Sequence, residues 1–137
     1  ENVLDGDNTL PQSGTNRDFC YSSGYEYWGK MESDGNVLSS GKKETVLRSN
    51  KKKIKRDATY DMIVHYEVIQ AKEDNAAVFR IRNAQDEIIA EQEMPSDATE
   101  IRIRDVSVTQ SMEWIRYRIN AQKGSKIRIK SIETVAQ

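Results

Sequence analysis

Apolar and cationic side chains alternate one for one in four separate stretches of the chain: Phe79-Arg80-Ile81-Arg82, Ile101-Arg102-Ile103-Arg104, Ile115-Arg116-Tyr117-Arg118 and Ile127-Arg128-Ile129-Lys130. A two-residue period sends successive side chains to opposite faces, so each stretch predicts a strand with one buried and one wet face. A longer alternation runs over 59–69. Tyr60, Met62, Val64, Tyr66 and Val68 fall on one face, and Asp61, Ile63, His65, Glu67 and Ile69 on the other. With apolar residues on both faces, this predicts a central core strand.

Turn chemistry punctuates the rest. Ala71-Lys72-Glu73-Asp74-Asn75 ends the long strand, Asn83-Ala84-Gln85-Asp86 reads as a hairpin loop, and Gly124-Ser125 turns the chain before the last strand. Ile88 and Ala90 begin a strand that Pro95 ends, because proline cannot donate to a ladder. Ile101 and Ile103 are out of phase with Val106 and Val108, which predicts a bulge near Asp105. Over 112–121, Ile115, Tyr117 and Ile119 point inward and Met112, Trp114, Arg116 and Arg118 share the other face. Ile127, Ile129 and Ser131 close the final strand. Residues 1–58, rich in Gly, Ser, Asn, Asp and aromatics, predict loops with short strands. Nowhere do apolar residues recur at helical spacing. Seven to ten strands in this length predict an all-β, two-sheet antiparallel β-sandwich of jelly-roll type.

At 137 residues the chain fits one domain, 1–137, able to bury roughly two thirds of its unfolded surface without metal or disulfide staples. Charged residues make up 31% of the chain yet nearly cancel, to a net charge of −1. That balance argues against a nucleic-acid partner, which selects a basic excess. The single cysteine, Cys20, excludes an internal disulfide and a cysteine-rich metal site. No apolar run approaches the ~20 residues of a membrane span, and Glu1 as the first residue is expected of a processed protein or an excised domain.

The order of features resembles a family of non-catalytic carbohydrate-binding modules with a galactose-binding-like, jelly-roll β-sandwich. The likeness lies in the opening Asn2-Val3-Leu4, the loop-rich aromatic stretch after it, the long strand over 59–69, the paired amphipathic strands, and the closing Gly124-Ser125-Lys126-Ile127-Arg128-Ile129-Lys130-Ser131-Ile132-Glu133. Residues 5–16 depart from the usual continuation into a Phe-Glu pair. The resemblance implies an accessory domain that holds a polysaccharide near a catalytic domain of the same polypeptide, in an extracellular or cell-surface protein.

Candidate ligand-binding residues follow from aromatic placement. Phe19, Tyr21, Tyr25, Tyr27 and Trp28 form the densest aromatic cluster, and Tyr25, Tyr27 and Trp28 are the rings expected to offer flat surfaces to sugar. The competing reading places such rings at the edge of the core. Trp114, Arg116 and Arg118 on one strand would suit an acidic glycan, since arginine forks onto carboxylate and stacks on indole. Equally, arginine stems would seal a tryptophan beneath a loop. The cationic strands as a whole are either a solvated surface paired with Glu87, Glu91, Glu93, Glu100, Glu113 and Glu133 or a ligand-facing sheet.

His65, the sole histidine, reads as a hydrogen-bonded strand residue, and no nucleophile, acid or base constellation is visible, so no enzyme is expected. No cofactor is called for. Asp5, Asp7, Asp18 and Asp34 in loops leave room for a structural calcium, although Asp5-Gly6-Asp7-Asn8 lacks the terminal bidentate glutamate of a calcium loop. The alternative to glycan binding is a structural or protein-interaction sandwich of a surface assembly or adhesin.

Overall fold

The predicted strands form, and they pair as a doubled ribbon rolled onto itself. The computed structural model describes residues 19–20, 30–31, 37–40, 45–49 and 55–137. Among them are ten strands and no helix: β1 (Phe19–Cys20), β2 (Lys30–Met31), β3 (Val37–Ser39), β4 (Thr45–Ser49), β5 (Ala58–Gln70), β6 (Asn75–Asn83), β7 (Ile88–Pro95), β8 (Glu100–Val108), β9 (Ile115–Ala121) and β10 (Lys126–Ala136). Two antiparallel sheets result, in the orders β1-β4-β9-β6-β7 and β2-β3-β10-β5-β8. From β3 onward the neighbours are β3 with β10, β4 with β9, β5 with β8 and β6 with β7. This nesting of pairs around one central hairpin is a jelly-roll winding.

Burial follows the alternation. Phe79 and Ile81 of β6, Ile115, Tyr117 and Ile119 of β9, and Met94 of β7 face Tyr60, Met62, Val64 and Tyr66 of β5 and Ile127, Ile129 and Ile132 of β10 in one core. The Phe79 and Tyr117 rings pack with centroids 5.6 Å apart. The Tyr117 hydroxyl and Thr134 Oγ1 hydrogen-bond at 2.6 Å, tying β9 of one sheet to β10 of the other inside the core. The Tyr66 hydroxyl donates to the Pro95 carbonyl at 2.8 Å. Burial, helped by the charge of Asp97, pushes the Tyr66 phenol up to about 12.

Turns take the expected residues. Asn83 Oδ1 accepts the backbone N–H groups of Gln85 (3.0 Å) and Glu87 (2.9 Å), and Asp86 adopts φ 62° to close the β6–β7 hairpin. Gly124 takes φ 74° in the β9–β10 turn, where a side chain would be strained. The expected bulge in β8 is present. Asp105 has φ 58°, the β5–β8 register slips between Tyr60 and Met62, and the slip returns Ile101, Ile103, Val106 and Val108 to a single core face.

Three local expectations are corrected. The β6–β7 register shifts between Ile81 and Arg82, so Ile89 and Ala90 pack on the core while Ile88 turns outward, 46% exposed. A second shift, between Ile129 and Ser131, sends Ser131 outward opposite His65 and brings Ile132 inward in its place. Met112 does not share a face with Arg116 and Arg118. It precedes β9 in a turn closed by its N–H donating to the Thr109 carbonyl at 3.1 Å, and it packs against the core.

The inter-sheet hydrogen bond yields a direct expectation. Tyr117→Phe should lower unfolding free energy by about 1–3 kcal/mol, because a buried hydroxyl loses its partner. Adding Thr134→Val should recover part of that loss in urea denaturation. Strictly additive single and double variants would show that the two hydroxyls are not coupled.

Candidate functional site

The four cationic stretches divide evenly between the sheets. β8 and β10 lie in one sheet with β5 between them, whereas β6 and β9 are direct neighbours in the other. This difference gives the two outer faces unlike chemistry.

On the outer face of the β3-β10-β5-β8 sheet, opposite charges meet across strands. Arg102 Nη1 donates to Asp61 Oδ2 at 2.7 Å, and Arg128 Nε donates to Glu67 Oε1 at 3.3 Å. His65 sits between β10 and β8, with Nε2 2.8 Å from Glu133 Oε1 and Nδ1 3.4 Å from Glu100 Oε1. It is the hydrogen-bonded strand residue the sequence predicts. Asp61 is the most tightly held carboxylate of this face. Gln137 Nε2 donates to its Oδ1 at 2.6 Å, the Asp105 N–H donates to the same oxygen at 3.2 Å, and Arg102 takes Oδ2. The Gln137 bond, then the Asp105 bond, and finally Arg102 hold the carboxyl below the usual carboxylate range, against the opposing effect of burial. This face reads as a charge-balanced, solvated surface.

The outer face of the β4-β9-β6-β7 sheet is built otherwise. The β6–β9 register runs without a shift from Ala77 opposite Ala121 to Asn83 opposite Ile115, which sets Arg80 across from Arg118 and Arg82 across from Arg116. Arg48 of β4 takes the next register position beside Arg118. Glu91 of β7 lies on the other flank, its Oε2 accepting Arg80 Nε at 2.8 Å, and Arg82 Nη1 donates to the Asp86 carbonyl at 2.9 Å. The Arg80 and Arg82 side chains are only 26% and 20% exposed, so their stems lie along the sheet.

Trp114 stands at one end of this double row, immediately before β9. Arg116 Cζ is 5.2 Å from the centre of its ring, within cation–π range. At the other end the rows pass into Val78 and Asn120, then into an open hollow of about 540 Å³ lined by Glu73, Asp74, Asn75, Val78, Glu93, Gln122 and Lys123. Asn75 Nδ2 donates to Glu93 Oε2 within it. Val46 and Asn120 are opposed on this outer face, yet only 2% and 7% exposed, so its floor beside β4 is sheltered.

Of the residues singled out from sequence, Trp114, Arg116 and Arg118 are brought together on this face. Tyr25, Tyr27 and Trp28 lie outside the described residues, as do Asp5, Asp7, Asp18 and Asp34. Among the described residues no group of three or more His, Cys, Asp or Glu is placed to hold a metal ion. No helix among them is long and apolar enough to cross a membrane. Sequence reasoning missed Asn75, Glu93 and Gln122 as members of the face. They come from the start of β6, the edge strand β7 and the β9–β10 turn, segments remote in sequence that meet only in the folded sheet. Arg80 and Arg82 carried a signal in their alternation, but not which strand they would face.

No family model matches the sequence, and no curated protein does. The fold itself is shared with solved carbohydrate-binding modules. A CBM4 module superimposes with a TM-score of 0.60 at 11% identity, over 99% of this chain and 97% of that one. A low-affinity xylan-binding module, CBM86 of Roseburia intestinalis, gives 0.54 at 15% identity over 80% and 86% of the two chains. A Streptococcus pneumoniae fucose-binding module gives 0.52 at 14% identity over 96% and 98%. At such identities the likeness establishes the β-sandwich and not the ligand.

Because the Asp61 carboxyl titrates lower folded than unfolded, its stabilising effect is present above the ordinary carboxylate value of about 4 and disappears as pH falls through the folded value. Asp61→Asn should therefore be less stable than the wild type at neutral pH and close to it in strong acid. Denaturation curves at the two pH values check this, and a gap that persists unchanged in acid would refute it.

Proposed function

We propose that this chain is a non-catalytic carbohydrate-binding module or accessory domain that holds a polysaccharide, an acidic glycan, against the outer face of the β4-β9-β6-β7 sheet. The observation that carries the reading is the Trp114–Arg116 stack leading into two opposed arginine pairs on one sheet face. An aromatic edge gives the CH faces of a sugar an apolar surface, and guanidinium groups fork onto carboxylate or phosphate oxygens. Arg116 and Arg118 are the proposed anion contacts, and Trp114 the proposed stacking contact. Tyr25, Tyr27 and Trp28 complete the proposed contact set.

Support comes from the shared fold with solved xylan-binding and fucose-binding modules. Such a domain works without chemistry of its own. By holding substrate beside a catalytic domain of the same polypeptide, in an extracellular or cell-surface protein, it raises effective concentration. A shallow face with few desolvated contacts implies weak affinity.

A glycan array followed by calorimetry tests the reading. Trp114→Ala and Trp28→Ala should each weaken binding of the selected glycan by about tenfold, the worth of one good aromatic contact. An array without a single glycan hit removes the function, whereas unchanged affinity in both variants removes the sites and leaves the function standing.

A further inference from the structure

Resting on the glycan-binding reading, we propose that the hollow at the end of β6 and β9 is a second sugar subsite, which takes an uncharged sugar unit and turns away an anionic one. Its lining comes from the β5–β6 turn, the start of β6, the edge strand β7 and the β9–β10 turn. Hydrogen bonds behind the lining tie these segments together. Ser96 Oγ donates to the Glu73 carbonyl at 2.6 Å, and the Ser96 N–H donates to the Asp74 carbonyl at 2.8 Å. From the β9–β10 turn, the Gln122 N–H donates to the Ala76 carbonyl at 2.8 Å. Ser125, only 2% exposed, sets its Oγ 2.9 Å from the Ala76 carbonyl and 2.6 Å from that of Gln122, within donating distance of both. The hollow is thus built before a ligand arrives, which spares binding much of the cost of ordering loops.

At about 540 Å³ the hollow has the size of a small-molecule site, but it lacks the apolar lining such sites usually have. Val78 is its one apolar residue. Half-buried Asn75 and Gln122 bring amides that both donate and accept, exposed Glu73, Asp74 and Glu93 accept, and exposed Lys123 donates. Asn75 Nδ2 donates to Glu93 Oε2, which holds those two side chains in a fixed relation. A ligand dense in hydroxyls, each a donor and an acceptor, matches this mixture. Three carboxylates against one ammonium make the hollow electronegative, so a uronate is repelled from it and an uncharged sugar is not. Trp114 precedes β9 and Gln122 follows it, eight residues on and about 26 Å away at the rise of a strand. A polysaccharide held at both therefore lies along the strands.

NMR titration of the isotope-labelled chain, read at the side-chain amide signals of Asn75 and Gln122, tests this with xylose, glucose, galactose and fucose as uncharged probes and with glucuronate and galacturonate as anionic ones. At least one uncharged sugar should shift both amides to saturation, and neither uronate should. Gln122→Ala should weaken that sugar about fivefold at the Asn75 signal, the scale of one hydrogen bond, while an unmoved Trp114 indole N–H signal shows the fold intact. Glu93→Gln, which keeps the side chain's shape and removes its charge, should let a uronate shift the same amides. Amide shifts as large with uronates as with uncharged sugars overturn the proposal. So does the absence of amide shifts with all six probes, or shifts confined to Trp114 and Arg116, and hits on the glycan array then leave glycan binding intact. A blank array removes the reading beneath it.

Discussion

Packing of β6 against β9 is the constraint on which the rest of the structure depends. Phe79, Ile81, Tyr117 and Ile119 are fully buried, and each such side chain contributes about 1.5–3 kcal/mol on leaving water. Because the side-chain period is two, burying those four fixes Arg80, Arg82, Arg116 and Arg118 on the opposite face. The unshifted register then sets arginine against arginine. Cross-strand repulsion between exposed like charges costs a fraction of that burial, up to about 1 kcal/mol per pair. The core therefore prevails, and the cationic face is a consequence of it.

The two outer faces show how little the same sequence pattern decides by itself. All four stretches read alike as apolar–cation alternation. In the β3-β10-β5-β8 sheet, β5 separates the two cationic strands and supplies Asp61 and Glu67 to Arg102 and Arg128. In the β4-β9-β6-β7 sheet β6 and β9 are direct neighbours, so the guanidinium rows adjoin, and Arg80 and Arg82 meet Glu91 and Asp86 only on the β7 side. Exposed ion pairs of the first kind are worth about 0.2–1 kcal/mol each and leave a balanced surface. Strand order, a property of the whole winding, is what decides whether two cationic strands are interleaved with an acidic one or lie side by side.

Much of the fold is legible in the sequence because alternation is a local signal. The long central strand, the Asn83 and Gly124 turns and the bulge at Asp105 all follow from neighbours along the chain. The shifts at Ile88 and Ser131 were not legible. Each inserts one residue opposite a partner strand remote in sequence, so nothing nearby marks the change of phase. For the candidate site, the cluster of Trp114, Arg116 and Arg118 could be read from one strand. Arg80 and Arg82 could be recognised as cationic without their partners being known, and the hollow at Asn75, Glu93 and Gln122 could not be foreseen at all. Identity of 11–15% with modules of the same fold explains why likeness to them conveys architecture without conveying these side chains.

The nested pairing also orders the assembly of the domain. Of the nested pairs among the described residues, only β6 with β7 is closed by a tight turn, and each pair outside it closes a longer loop, until β3 meets β10. Closure entropy grows with the length of chain enclosed, and contacts distant in sequence slow the search for them. The hairpin is accordingly the natural seed, and winding proceeds outward from it. The β6 half of the arginine face is present in that seed. Its β9 half arrives only when the chain returns, so the face is completed by the same step that seals Phe79 beneath Tyr117.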